Sequence, residues 1–582
     1  MLQRMNTVVL FLLALLAATN HAIAQDCAYL YPNDYEIESG YTAMVQAPDG
    51  NIYGTAQNSI FRLTPACVFT TLFTATSAQA NINSLLVGPD GNLFGTSNIG
   101  GASNEGTFFK LTPSGAYTLL YSFGGDGEFG GPLGENPIGL AMGTGGYFYG
   151  AALGGAIGDG VLFKATIAGQ VSLVYAFPGY TVNPVGPAGP SMPIQASDGN
   201  FYGITLGGGS TVCGEEGCGT VYKVTPGGVG STVLDLPTNG DGANPDGGDP
   251  FVNTVAEGLN ANIYGTTFDG GPASDGSFFS GSSADLYDFT SANSGANAVM
   301  LASDGNFYGT TVSGEEPIMG TVFEITTAGE FTTLTEFGGG AGGGNNPIGP
   351  LLQASDGTFY GFLEGGDGGS SGEYCNTCAE IFQVDFGLSP PVQVSLSSNQ
   401  VTPGKPLTAS LRVLNAPSLT MQQCYAYQTS KGIVTPLGKV PGTYNSSTKL
   451  YTFSTSFTPA TAGIYNYAVT CGGVESGFAT LTVGDTTQTT LTAAPNPVTP
   501  PANDTLTATV TRTTSSGTPT GSVTFSVGTT VLGKSTLNGS GVATLAASSK
   551  GVAAGTYPVV ATYSGDANDI SSASAALNVT VQ

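Results

Sequence analysis

Ala302-Ser303-Asp304-Gly305-Asn306-Phe307-Tyr308-Gly309-Thr310 recurs, with small changes, down the first two thirds of the 582-residue chain. Its relatives are Ala47-Pro48-Asp49-Gly50-Asn51-Ile52-Tyr53-Gly54-Thr55, Gly88-Pro89-Asp90-Gly91-Asn92-Leu93-Phe94-Gly95-Thr96, Ala196-Ser197-Asp198-Gly199-Asn200-Phe201-Tyr202-Gly203 and Ala354-Ser355-Asp356-Gly357-Thr358-Phe359-Tyr360-Gly361. Two degraded copies end in Tyr149-Gly150 and Tyr264-Gly265, with Gly145-Gly146 and Asn260-Ala261 at the turn, which makes seven. Asp-Gly-Asn is turn chemistry that joins antiparallel strands, because Gly and Asn tolerate positive φ.

The repeating unit extends past this motif. In the sixth copy, residues 298–302 read as a first strand and 307–311 as a second. Residues 321–326 follow a Gly-rich loop as a third, and 331–337 follow Ala328-Gly329 as a fourth. The third strand places a polar residue after an aromatic one in every copy. The triplets are Phe61-Arg62-Leu63, Phe109-Lys110-Leu111, Phe163-Lys164-Ala165, Tyr222-Lys223-Val224, Tyr287-Asp288-Phe289, Phe323-Glu324-Ile325 and Phe382-Gln383-Val384. Alternation with period two means one buried and one wetter face. The central residue changes sign between copies, which suits a solvated position better than a shared ligand contact.

Successive Tyr/Phe-Gly pairs lie about 41 to 62 residues apart, the size of a four-stranded propeller blade. One such unit cannot bury both faces, so the expectation is an all-β chain whose residues 25–388 form a seven-bladed β-propeller. An open β-solenoid is the competing architecture. The seventh copy runs into Leu388-Ser389-Pro390-Pro391 without a fourth strand, and Cys27-Ala28-Tyr29-Leu30-Tyr31 resembles the missing one. The chain's beginning is therefore expected to complete the last blade.

The recurrent unit, Asp-Gly-Asn then Tyr-Gly-Thr, Gly-Thr-Val-Phe and a Leu-Tyr-Ser-Phe-like strand, resembles the GloVer tandem repeats over residues 41–385. These occur in secreted bacterial choice-of-anchor proteins with interchangeable anchoring modules. The resemblance implies a propeller-like fold and says almost nothing about ligands.

After Pro390-Pro391, Gly falls while Ser, Thr and Val rise. Residues 389–484 read as an immunoglobulin-like β-sandwich, with Ala462-Gly463-Ile464-Tyr465 resembling a tyrosine corner. Residues 485–582 closely resemble bacterial immunoglobulin-like repeats, through Gly521-Ser522-Val523-Thr524-Phe525 and residues 555–566.

Residues 1–24 read as a secretory signal. Arg4 precedes an apolar run, Val8 to Ala17, too short to span a bilayer, and Ala22-Ile23-Ala24 is a small-x-small cleavage site. An uncleaved anchor is the alternative, and the mature chain is expected to have no membrane span. Cleavage removes His21, the only histidine; there is no Trp. His general bases, Ser-His-Asp triads and His-ligated metals are then excluded. The net charge of −27 makes nucleic acid and anionic membrane poor partners, since phosphate binding relies on Lys and Arg.

Eight cysteines in an exported chain read as disulfides. The pairing expected is Cys27–Cys67, Cys213–Cys218, Cys375–Cys378 and Cys424–Cys471, the last joining neighbouring strands of one sheet. A redox or zinc role for Cys375 and Cys378 is the alternative.

No residue stands out as catalytic or cofactor-binding. Asp49, Asp90, Asp198, Asp304 and Asp356 suit Ca²⁺ by chemistry, but a calcium loop needs several oxygens at one point, and turn geometry is the reading taken. Glu215-Glu216, Glu315-Glu316, Asp246 and Asp249 offer carboxylates that spacing cannot pair. The repeated Tyr53, Tyr149, Tyr202, Tyr264, Tyr308 and Tyr360, with Phe94, could stack on sugars, yet one aromatic per blade reads as core. The function expected is that of a secreted or cell-envelope, non-enzymatic interaction or adhesion protein. Its propeller would present the ligand surface to extracellular carbohydrate or a surface protein, with the sandwiches as spacer or adhesive modules. A polysaccharide-active hydrolase or lyase using carboxylates is the alternative.

Overall fold

Gly54, Gly95, Gly150, Gly203, Gly265, Gly309 and Gly361 each sit under the ring of a third-strand aromatic. A Cβ built on Gly54 would lie 2.2 Å from the Phe61 ring, and one on Gly309 2.6 Å from Phe323. The two residues of each pair face each other across the ladder, Gly54 with Phe61 and Gly309 with Phe323. The Gly leaves a hole in the sheet face and the aromatic fills it. The Tyr-Gly pair and the third-strand Phe therefore recur together.

The computed structural model describes residues 25–582 apart from 31–42, 57, 77–80, 126–130, 156–158, 180–185, 210–216, 237–254, 269–274, 282, 314–317, 339–345, 367–374, 404, 406, 415–423, 431–432, 441–442, 446–449, 456–461, 472–473 and 567. The expected signal, residues 1–24, lies outside the described residues. Among the described residues no helix is long and apolar enough to cross a membrane.

The described chain is all-β. The repeats give seven antiparallel sheets in chain order, beginning with Met44–Gln46, Ile52–Ala56, Ser59–Leu63 and Phe69–Thr74. The fourth sheet divides its first strand into Ala188–Pro190 and Ile194–Gln195. The seventh comprises Pro347–Gln353, Phe359–Gly366 and Cys375–Val384, and its fourth strand is Gln25–Leu30. The chain's beginning thus completes its last sheet.

The fifth copy differs from expectation. Its third strand is Ser277–Ser280, with Ser280 opposite Tyr264, while Tyr287 and Asp288 belong to the fourth strand. Gly276-Ser277-Phe278-Phe279-Ser280 follows the same pattern as Gly106-Thr107-Phe108-Phe109-Lys110. Serine in the charged position hid it.

Each pair of neighbouring sheets shares an apolar core. The recurrent Tyr and Phe residues lie in these cores, all between 0% and 8% exposed. Phe94 packs on Phe148 at 4.6 Å between ring centroids, Tyr149 on Phe201 at 4.1 Å, Tyr264 on Phe307 at 4.7 Å and Tyr308 on Phe359 at 4.9 Å. One cluster joins Ile52, Phe61 and Leu63 of the first sheet to Ile348, Tyr360 and Phe362 of the seventh.

Residues 392–483 form a two-sheet sandwich. One sheet holds Val392–Leu396, Leu407–Val413, Leu450–Thr455 and Thr443–Asn445. The other runs Gln400–Val401, Ala479–Val483, Gly463–Cys471, Cys424–Ser430 and Ile433–Lys439, with Val474–Glu475 beside Gly463–Cys471. This is the strand order of immunoglobulin domains. Cys424 and Cys471 are bridged, face each other across neighbouring strands of one sheet, and have Cα atoms 4.1 Å apart.

A second sandwich follows, with Thr487–Ala494, Asn503–Arg512 and Val542–Ser548 in one sheet. Thr530–Thr536, Ser522–Val527, Gly555–Tyr563 and Leu577–Val581 lie in the other, where Ser572–Ala573 also pairs with Gly555–Tyr563. The joint is tied. Asp485 N–H donates to Asn568 O at 2.8 Å, and Gln400 Nε2 to Ser571 Oγ at 2.7 Å. Within the second sandwich, beside this joint, Arg512 makes a two-pronged ion pair with Asp569, which is fully buried.

Candidate functional site

The Asp-Gly-Asn turns lie at one end of the seven sheets. Asp49 Oδ1 accepts from Asn51 N–H at 3.0 Å, and its Oδ2 accepts from Asn51 Nδ2 at 2.9 Å and Tyr53 Oη at 2.7 Å. Asp198 repeats the set with Asn200 and Tyr202, and Asp304 with Asn306 and Tyr308. Where the aromatic is Phe94, Lys110 Nζ donates to Asp90 Oδ2 at 2.9 Å instead. In the fifth copy Asn260 Nδ2 donates to Tyr264 Oη at 2.8 Å. The side chain thus pins the turn and satisfies the polar tip of a buried aromatic.

The electrostatics follow this arrangement. Burial raises Tyr53 and Tyr308, and Asp49 and Asp304 raise them further. Burial also acts to raise Asp198, but hydrogen bonds from Asn200, Lys223 and Tyr202 outweigh it and hold the carboxyl at about 2. These carboxylates are engaged within their own repeats. Among the described residues no three His, Cys, Asp or Glu side chains converge as a metal site would require.

A second set of contacts at this end was not read from the sequence. Gln46, Gln195, Glu257 and Gln353 each stand three residues before the turn's Asp position, or its Asn in Glu257's repeat. Each accepts a backbone N–H from the preceding sheet's turn: Ser355 at 2.7 Å, Thr144 at 2.7 Å, Ser197 at 2.8 Å and Ser303 at 3.1 Å respectively. Where the preceding turn carries Pro48 or Pro89, which have no N–H, the next sheet carries Val87 or Met142. Leu259 is matched by Leu301. The alternation of Ser/Thr with Gln/Glu and of Pro with an aliphatic residue was the available signal.

The first sandwich sits on these turns. Tyr427 Oη donates to Gly88 O at 2.8 Å, and Thr429 Oγ1 to Pro48 O at 3.2 Å. Tyr425 and Tyr427 join the core between the second and third sheets. The Phe478 ring would lie 2.8 Å from a Cβ on Gly50, and Tyr425 Oη 2.5 Å from one on Gly146. Turns of the first three sheets are covered.

Antiparallel connectivity places the second-to-third-strand loops, and the connections between sheets, at the opposite end. Glu105 and Glu135 are there, and Glu135 is raised by burial and then by the charge of Glu105. Glu215, Glu216, Asp246, Asp249, Glu315 and Glu316 lie outside the described residues. Cys67 and Cys218 are disulfide-bonded. Cys213 and the side chains of Cys27, Cys375 and Cys378 lie outside the described residues.

These features define an all-β tandem-repeat protein with C-terminal sandwiches. The Gloeobacter/Verrucomicrobia repeat matches residues 39–248 and 189–385, together more than half of the chain, and the chain belongs to that family. Residues 491–582 match the bacterial Ig-like domain, group 3. Comparison with curated proteins finds no match. Among solved structures the chain is similar to FdeC, described as a broadly conserved Escherichia coli adhesin. The identity is 17%, over 49% of this chain and 99% of that one, with a TM-score of 0.15, too low to carry an argument.

Proposed function

We propose that residues 25–388 close into a seven-bladed β-propeller displayed outside the cell or on its envelope. The end opposite the Asp-Gly-Asn turns would bind an extracellular carbohydrate or surface protein without turnover. The observation that carries the choice of face is the seating of the first sandwich on the turns, through Tyr427 and Thr429. It leaves the long, sequence-variable loops as the end open to a ligand. The Ig-like group 3 match supports a surface setting, with the second sandwich, residues 485–582, as a spacer or adhesive module beyond the docked one, residues 389–484.

Closure is supported by the core shared between first and seventh sheets and by the Gln46–Ser355 bond. The cysteines support it as well. In the fourth strands the ladder skips Leu72, Leu120, Val174 and Leu334, and in Gln25–Leu30 it skips Cys27. A Cβ on the positive-φ glycines Gly115 and Gly169 of the next sheets would lie 2.9 Å and 2.8 Å from the carbonyl oxygens of Leu72 and Leu120. Cys67, also at positive φ, occupies that glycine's place in the first sheet. Cys27 and Cys67 would then be partners across the seam, and digestion without reductant should release a peptide pair linking them.

Carbohydrate and surface-protein arrays, run with parallel hydrolysis assays on the mature chain, test the function. Retention without product release is expected. An insertion after Asn104, at the loop end, should abolish it, and one after Ser114, at the turn end, should not. Release of product would favour a polysaccharide-active enzyme, a reading for which the neighbouring carboxyls of Glu105 and Glu135 are the specific support. Binding blocked only by the Ser114 insertion would overturn the choice of face.

A further inference from the structure

The second sandwich contains an unfilled space in its core. Val498, Leu506, Val527, Val559, Val579 and Val581 wall a cavity of about 260 Å³ between its two sheets. Leu532 and Val552 also line it and are 41% and 38% exposed, so its mouth is apolar too. An apolar cavity of about 150 Å³ is enough to take up benzene.

One charged side chain lines this space. Asp504 is on the inward face of Asn503–Arg512, two residues before Leu506, where the alternation calls for an apolar residue. It is 2% exposed and has no counter-charge; the groups that favour its charged form are the backbone N–H groups of Ala494 and Thr505. A buried carboxylate without a counter-charge is costly, and its presence in an apolar wall needs a reason. Burial raises its pKa and outweighs the lowering effect of the Ala494 and Thr505 amides, as expected of a carboxyl lacking a counter-charge.

We infer that this cavity is a binding site for a small amphipathic amine, a primary ammonium on an aliphatic or aromatic body. The ammonium would pair with Asp504, and the apolar body would replace the space among the valines. Opposite charge supplies selectivity and the walls supply affinity.

Calorimetric titration of the full chain with n-hexylammonium, 1-hexanol and hexanoate tests this. The amine should bind at least tenfold more tightly than the alcohol, and hexanoate should not bind. Asp504→Asn should bring amine and alcohol within twofold of each other while melting no lower than the parent, because it removes a buried carboxylate that has no counter-charge. Ala547→Phe, which keeps the carboxyl and fills the cavity, should remove both. Equal binding of amine and alcohol by the parent, an amine preference that survives Asp504→Asn, or no amine binding would each overturn the inference.

Discussion

Gln46 Oε1 accepts the backbone N–H of Ser355 at 2.7 Å, across 309 residues of sequence. The same bond joins Gln195 to Thr144 and Gln353 to Ser303, so the contact between the last sheet and the first is made like contacts between sheets adjacent in sequence. Gln46→Leu should cost about 1–3 kcal/mol by leaving that N–H unpaired. Ser355→Pro in the same chain should recover much of the loss, because Pro48 and Pro89 occupy the equivalent position opposite Val87 and Met142. A double-mutant cycle by urea unfolding reads the coupling; additive losses would contradict the pairing rule.

The Gly54–Phe61 pair makes a steric prediction. A Cβ on Gly54 would meet the Phe61 ring at 2.2 Å, so Gly54→Ala should cost about 1–3 kcal/mol through overpacking. Phe61→Leu in the Gly54→Ala background should return part of it. Gly199 at positive φ has nothing within 4 Å of a built Cβ. Gly199→Asn should therefore shift the denaturation midpoint little, since Asn tolerates that backbone region.

Removing residues 25–30 strips the seventh sheet of its fourth strand and turns Cys375–Val384 into an edge. The melting temperature should fall on the order of 5–10 °C relative to a chain that keeps these residues. An unchanged melting curve would mean that the strand contributes nothing to holding the sheet.

Strand positions, the Asp-Gly-Asn turns and the N-terminal strand's partner were legible because each depends on local chemistry repeated several times. The burial of Tyr53 and its equivalents was legible for the same reason. The third strand around Ser280 was not, because serine replaces the long polar or charged residue that marks the position elsewhere. The seating of Tyr427 on Gly88 was not legible either. Contacts between modules depend on two surfaces from different repeats of different folds, and neither has a periodic signal. Asp504 was hidden among 40 acidic residues, and only the face it occupies sets it apart.

Asp198 should give the repeats an acid-sensitive contribution. Its folded pKa, about 2, lies below the ordinary 3.8. The stabilisation is therefore fully present above the unfolded value and is lost as pH falls from about 4 towards 2. The pair with Lys223 is partly exposed on both sides, so its size should stay under about 1 kcal/mol. Asp198→Asn should be slightly less stable than the parent at pH 6, and the gap should narrow as the pH falls to 2. A gap in urea midpoints as large at pH 2 as at pH 6 would contradict the assignment.

Tyr427 decides whether the first sandwich is a docked module. Its ring is fully buried among residues of the second and third repeat sheets, and its hydroxyl donates to Gly88 O. It occupies a strand, Cys424–Ser430, whose ladder pairing with Ile433–Lys439 and Gly463–Cys471 lies wholly within the sandwich. Tyr427→Ala should therefore weaken the contact between modules by about 3–5 kcal/mol, the cost of truncating a buried aromatic, and leave each module folded. The measurable outcome is separation. Calorimetry should resolve the sandwich from the repeats as two transitions, and limited proteolysis should cut near Pro390-Pro391, where the chain crosses between them. The variant should also expose Gly50, Gly88 and Gly146 to exchange with solvent deuterium faster than in the parent, while Asn306 and Tyr308 in the sixth repeat stay unchanged. A uniform loss of protection across all seven repeats would mean instead that Tyr427 supports the repeat fold itself.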